Sequence, residues 1–178
     1  LSHLHNHPCI VLYTLFNEGW GQHDTQNLYH HFKALSPDRI WNAASGWFKC
    51  SDSDVQSEHI YFGSLKMRPD GLHPLLLTEF GGYSHSVTGH RFNLDEEYGY
   101  QKYGTEAEFQ RALSKLYRES ILPQVHTGLC GAILTQVSDV EDETNGLVTY
   151  DRRLVKVDEK TMSALAADLY SAFEKQVN

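Results

Sequence analysis

With 178 residues, 40% hydrophobic and 12% aromatic, the chain has the length and makeup of one packed domain rather than a disordered tail. A formal net charge of -8, from 15 Lys and Arg against 23 Asp and Glu, argues against a nucleic-acid partner, because affinity for phosphate backbones rests on clustered basic side chains. No apolar run approaches the ~18 residues that a bilayer-spanning helix requires, so no membrane partner is expected.

Along the chain, short apolar runs alternate with helical patterns. Ile10 to Phe16 is expected to be a strand, running out into Asn17-Glu18-Gly19-Trp20-Gly21-Gln22. Asp24 to Leu35 reads as a helix capped by Asp24, with Leu28, Phe32 and Leu35 on one face and a stop at Ser36-Pro37. Strands follow over Arg39 to Ala44, Glu58 to Phe62 and Leu75 to Glu79, the last leading into Phe80-Gly81-Gly82. The polar or Gly/Tyr-rich stretches 49–57 and 82–103 read as long loops over a site. Thr105 to Val125 is a longer helix, with Thr105 as N-cap, Glu108 at the capping-box position and Phe109, Leu113, Leu116 and Ile121 as its apolar stripe. A strand over Gly131 to Gln136 precedes a last helix from Asp158 or Thr161, with Met162, Leu165, Leu169 and Phe173 facing inward. The register is βα throughout, without an internal repeat.

Cys9, Cys50 and Cys130 are odd in number and are expected to be buried free thiols rather than a disulfide framework. His3, His5 and His7 alternate, but three histidines at a chain end fall short of the four ligands of a structural zinc site, and no metal or other cofactor is expected. A Ser/His/Asp hydrolase is set aside because Ser45 lacks a Gly-x-Ser-x-Gly elbow. Glu18 and Glu79 remain. Each stands where an apolar strand gives way to a glycine-containing loop, and the carboxyl ends of parallel strands are where α/β proteins bind ligands. Paired carboxylates across a sugar ring are the machinery of glycoside hydrolysis.

The run Asn6-His7-Pro8-Cys9-Ile10-Val11-Leu12-Tyr13-Thr14-Leu15-Phe16-Asn17-Glu18-Gly19-Trp20-Gly21-Gln22 resembles the fourth-strand signature of glycoside hydrolase family 2, the β-galactosidase and β-glucuronidase family. The likeness continues in order through Ala44-Ser45-Gly46-Trp47, His59-Ile60-Tyr61 and Thr78-Glu79-Phe80-Gly81-Gly82. It ends at Thr135-Gln136-Val137-Ser138-Asp139-Val140-Glu141-Asp142-Glu143-Thr144-Asn145-Gly146-Leu147, so that it spans roughly His5 to Asp158. The resemblance implies an α/β fold, the (β/α)8 TIM barrel, of which residues 1–178 would carry strands four to eight. The first three barrel strands and the family's N-terminal β-sandwich domains would lie upstream. An opening at Leu1 without an initiator Met or a signal pattern fits a natural start upstream and says nothing of the compartment.

Residue by residue, the resemblance assigns Glu18 as general acid/base and Glu79 as nucleophile of a retaining double displacement, with carboxyl groups ~5 to 5.5 Å apart. The acid must hold a proton near neutrality while the nucleophile stays ionised and hydrogen-bonded. Asn17 matches the residue that holds the sugar 2-hydroxyl, and Tyr61 the tyrosine whose hydroxyl touches the nucleophile. His59, two positions before Tyr61 and facing the same way along a strand, is expected to contact substrate. Trp20 and Trp47 are candidate stacking platforms for a pyranose face. At Gln136 many family members carry a tryptophan floor; Asp139 and Glu141 on the next loop are candidate replacement contacts. The expected partner is a carbohydrate, a β-linked galactoside, glucuronide or mannoside. The alternative is a catalytically silent piece or carbohydrate-binding remnant: open strand edges and uncovered inward faces would favour self-association of the isolated chain or pairing with the missing N-terminal part.

Overall fold

A computed structural model describes residues 1–63 and 65–177. In chain order the elements are β1 (Leu12–Asn17), α1 (Thr25–Leu35), β2 (Ile40–Ser45), β3 (Gln56–Ile60), β4 (Leu75–Gly81), the short β5 (Tyr83–Ser84) and β6 (Gln101–Lys102), α2 (Glu106–Leu116), a π-helical turn over Tyr117–Ile121, α3 (Leu122–Val125), β7 (Leu129–Thr135) and α4 (Glu159–Val177). All the predicted strands form, each within a few residues of its expected bounds.

They do not form the predicted barrel. β1 pairs with β2 in a two-stranded sheet, β3, β4 and β7 make a three-stranded sheet, and β5 pairs with β6. The ladders are parallel. Closing a parallel sheet into a (β/α)8 ring takes eight tilted strands with a fixed stagger. The chain instead folds as a small mixed α/β domain, and the expectation of a TIM barrel is overturned. Between β2 and β3 the link is made by a side chain in place of a ladder: the buried Ser57 hydroxyl lies 3.3 Å from the Ala44 carbonyl and 3.3 Å from Asn42 Oδ1.

The packing explains why these elements persist. β4 lies between two strands and is covered on its faces, so its Leu75-Leu76-Leu77 run is apolar without alternation, as buried parallel strands are. Leu75, Leu77, Phe80, Ile121 and Leu129 form the main core, with Leu169 of α4 packed against it. A smaller cluster centres on Trp41, whose ring stacks on Tyr13 and Phe32 and whose indole N–H donates to the Ser36 carbonyl at 3.0 Å. A third joins Phe109, Leu113 and Val157.

Several local expectations are corrected by what each side chain meets. The capping box forms: Thr105 Oγ1 accepts from the Glu108 amide and Glu108 Oε2 from the Thr105 amide. Asp24 sits in left-handed backbone at φ 44 and leaves the helix amides uncapped, its carboxylate accepting from the Asn27 side chain instead. The long predicted helix widens into a π turn just ahead of Pro123, which can give no N–H to the Glu119 carbonyl. On α1 and α4, Tyr29 and Ala172 are buried while Leu35 and Phe173 are exposed. The cysteines are free, but Cys9 and Cys130 are exposed and only Cys50 is half-covered. Among the described residues no helix is long and apolar enough to cross a membrane.

The turn around Asp151 is held to the 82–103 loop by a hydrogen bond at the surface. Asp151 accepts from the Thr149 hydroxyl at 2.7 Å and faces His90 Nδ1 at 2.8 Å. The Thr149 hydroxyl first, then His90 and the Arg153 amide, hold its carboxyl down at about 2 against an ordinary 3.8. A depressed carboxylate stabilises the fold above its ordinary value and loses that contribution as the pH falls through the folded one. Thermal melts of Asp151→Asn should therefore show a shallower loss of stability between about pH 4 and pH 2 than the parent chain does.

Candidate active site

The chain leaves β1 through Glu18 at φ 52 and Gly19 at φ 83, a left-handed turn tied to β2 by a 2.9 Å bond from the Glu18 amide to the Ser45 carbonyl. Asn17, at the end of β1, accepts from the Ser45 hydroxyl at 2.8 Å. On β3, His59 stands in register with Glu79 of the adjacent β4, so the two side chains share a face. Parallel pairing thus delivers residues distant in sequence to one end of the strands.

There His59 Nδ1 lies 2.6 Å from Glu18 Oε1 and 3.2 Å from Glu79 Oε2. A single imidazole spans the two carboxylates, and one donor atom from each of the three residues lies within 4.8 Å of the others. The His59 side chain is fully buried, whereas Glu18 and Glu79 keep 15% and 30% of theirs in contact with solvent, enough for a reactant to reach them. Gly46, at φ 81, lets backbone lie against the His59 ring, where a Cβ would collide with Nδ1. The Trp47 indole donates to the His59 carbonyl at 3.1 Å.

Tyr61 follows β3 and donates its hydroxyl to Glu79 Oε2 at 2.6 Å, with Thr135 Oγ1 3.0 Å away. Burial, then the Glu79 carboxylate beside it, raises the Tyr61 phenol far above its ordinary value, so it stays a proton donor at any physiological pH. Its ring stacks on Tyr100 at 4.2 Å. Gly82 permits this: at φ 61, a side chain there would run into the Tyr100 ring.

These groups open on a cavity of about 480 Å³ whose walls include Asn17, Glu18, Tyr61, Glu79 and Gln136. A separate apolar groove between β7 and α4, about 440 Å³, has no carboxylate or imidazole among its described lining residues. The remaining sequence-derived candidates stand elsewhere. Trp20 is 80% exposed on the turn after Glu18 and does not line the cavity. Trp47 backs His59 from behind through its N–H. Asp139 is not brought to the cavity: it is buried with Lys156, whose ammonium approaches Oδ1 at 2.7 Å, and it accepts from the Gly146 amide at 2.8 Å. Glu141 is exposed.

Several cavity residues were not singled out from sequence, among them Tyr98, Tyr100, Glu143 and Asn145. Tyr98 and Tyr100 come from the loop already read as covering a site, where their two-residue spacing was the available signal. Glu143 and Asn145 lie in the run that carries the resemblance, but nothing in their spacing separates them from Asp139 and Glu141.

Two adjacent carboxylates in a solvent-accessible cleft, one supported by a phenol and both by an imidazole, can attack an electrophilic carbon and transfer a proton in the same site. Glu18, His59 and Glu79 also present three of the four to six donors a divalent ion needs. The 2.6 Å contact between Glu18 and His59 Nδ1 is a hydrogen bond, and Glu79 Oε2 lies 3.2 Å from the same nitrogen. No protein-family model matches the chain, and no curated protein matches it.

Proposed function

We propose that the chain carries the catalytic carboxylates of a retaining β-glycosidase of glycoside hydrolase family 2 type, similar to the β-galactosidases and β-glucuronidases. The observation that carries this reading is the convergence of Glu18, just past β1, and Glu79, near the end of β4, with oxygens within 4.8 Å. That separation is shorter than the ~6.5 to 9.5 Å that inverting enzymes keep between their carboxyl groups, and it suits a mechanism in which one carboxylate reaches the anomeric carbon directly. Glu79 attacks that carbon as Glu18 gives its proton to the departing oxygen. Water, deprotonated by Glu18, then cleaves the glycosyl ester. Tyr61, hydrogen-bonded to Glu79, aligns the attacking carboxylate and stabilises its charge when it leaves again. Asn17 stands where it could hold the sugar 2-hydroxyl.

The test is intact-mass and peptide-mass analysis after exposure to 2-deoxy-2-fluoro β-glycosyl fluorides of galactose, glucose, mannose and glucuronic acid. A single adduct on Glu79 is the expected result. A folded chain that takes up none would sink the reading. Tyr61→Phe, which keeps the stack on Tyr100 but removes the hydroxyl, should lower kcat by about 10- to 100-fold, the worth of one hydrogen bond to a charged group. Its melting temperature should stay close to that of the parent.

A second reading, a silent carbohydrate-binding piece that self-associates, is favoured by one separate observation. Ile133 on β7, the last strand of its sheet, is 61% exposed where it lines the cavity, and Val137 just beyond it is 75% exposed, apolar surface of the kind that invites another chain. Saturable sugar binding without an adduct would favour it.

A further inference from the structure

We infer that the cavity selects sugars bearing neutral hydroxyls and rejects uronic acids, with Glu143 as the residue that sets this preference. The inference rests on the glycosidase reading and narrows its substrate class. Beside Glu18 and Glu79 the cavity holds a third carboxylate, Glu143, and no Lys or Arg is among its described lining residues. The contacts of Glu143 are neutral: its Oε2 accepts from the Gln136 amide at 2.7 Å and from the Asn145 amide at 3.2 Å. Gln136 Nε2 also reaches Asn145 Oδ1 at 2.7 Å, so both of its protons are engaged within the wall.

What this trio leaves to a ligand is mainly acceptor capacity and a negative charge. Sugar hydroxyls can donate to such a wall, whereas a uronate carboxylate brings only acceptors and a like charge. The phenol of Tyr100 registers the same field: burial and Tyr98 raise it most, and the charges of Glu18 and Glu143 raise it further. At about 6 Å and an effective dielectric constant of about 20, one like charge disfavours binding by roughly 100-fold. Asp139 and Glu141, the acidic residues expected to line this wall, are buried in an ion pair and exposed to solvent respectively. Glu143 takes the position instead.

The experiment is calorimetric binding of galactonolactone and gluconolactone, which are neutral, against glucarolactone, which carries a carboxylate, to the parent chain and to Glu143→Gln. Binding needs no turnover, so it separates this inference from the reading beneath it. Both neutral lactones should bind at least about tenfold more tightly than glucarolactone. Glu143→Gln should narrow that ratio severalfold, and so should added salt in the parent chain. The salt arm decides alone if the variant does not fold. Glucarolactone binding as tightly as the neutral pair, or a ratio indifferent to both perturbations, overturns the inference. If no lactone binds while Glu79 still takes the fluorosugar, the inference fails and the glycosidase reading stands. If neither occurs, both fall.

Discussion

Under the proposed double displacement, Glu79→Gln should reduce β-glycoside turnover by about 10⁴-fold or more and should abolish labelling by the fluorosugars. The amide keeps the size of the side chain and can still accept from Tyr61, so the fold should be retained, but it cannot form the ester. Glu18→Ala should behave differently. Loss of the acid should slow glycosylation by alkyl glycosides by about 10² to 10⁴-fold while sparing glycosylation by glycosyl fluorides, whose leaving group needs no proton, and the ester should then accumulate for want of the base that activates water. Azide, which attacks without a base, should then restore turnover of the fluorides as an azido sugar. Steady-state kinetics on the paired substrates distinguish the roles. Equal losses on both substrates and no azide rescue would remove Glu18 from the acid/base role.

The second large effect concerns stability. Lys156 is 2% exposed, and its ammonium is surrounded by Asp139 Oδ1 at 2.7 Å and the His85 and Thr144 carbonyls at 2.9 Å each. All three protons are placed, with the Phe109 ring 5.8 Å away. Burial pushes the Asp139 carboxyl up and the Lys156 amine down, while attraction between the two opposes both shifts. Desolvation is therefore the larger effect, and removing one partner strands the other. Lys156→Met should cost about 3 to 5 kcal/mol, on the order of 10 °C in melting temperature for a chain of this size. Lys115→Met, at a side chain 72% exposed, should stay within about 0.5 kcal/mol. Pairing Lys156→Met with Asp139→Leu should be less destabilising than the sum of the two, since no uncompensated charge then remains. Strict additivity in thermal or urea melts would show that the pair does not act as a unit.

The same ion pair marks a boundary of what the sequence reveals. An Asp on a polar loop after a strand reads equally as a ligand contact or a solvated charge. Its actual partner, Lys156, is 17 residues away and looks like an ordinary surface lysine. Trp20 presents the converse case: an aromatic beside a catalytic candidate suggests a stacking platform, yet the left-handed turn through Glu18 and Gly19 leaves its ring in solvent. The missed residues Glu143 and Asn145 reach the cavity only because the loop after β7 folds back, pairing the Gln136 amide with the Asn145 carbonyl at 3.2 Å and the Leu147 amide with the Gln136 carbonyl at 3.0 Å.

Local chemistry was legible wherever one stretch of chain decides the outcome. Apolar runs bounded by glycine specified the parallel strands, Thr105 and Glu108 specified a helix start, and the strand-end positions of Glu18 and Glu79 marked the acid pair. Closure was not legible, because whether strands join into one sheet depends on long-range register, and here they pair as sets of two and three in place of a ring. Only the tertiary structure decided that His59 bridges the carboxylates, that Glu143 joins their cavity and that Asp139 leaves it. Those outcomes depend on distances between side chains far apart in sequence, which hydrophobic periodicity does not encode.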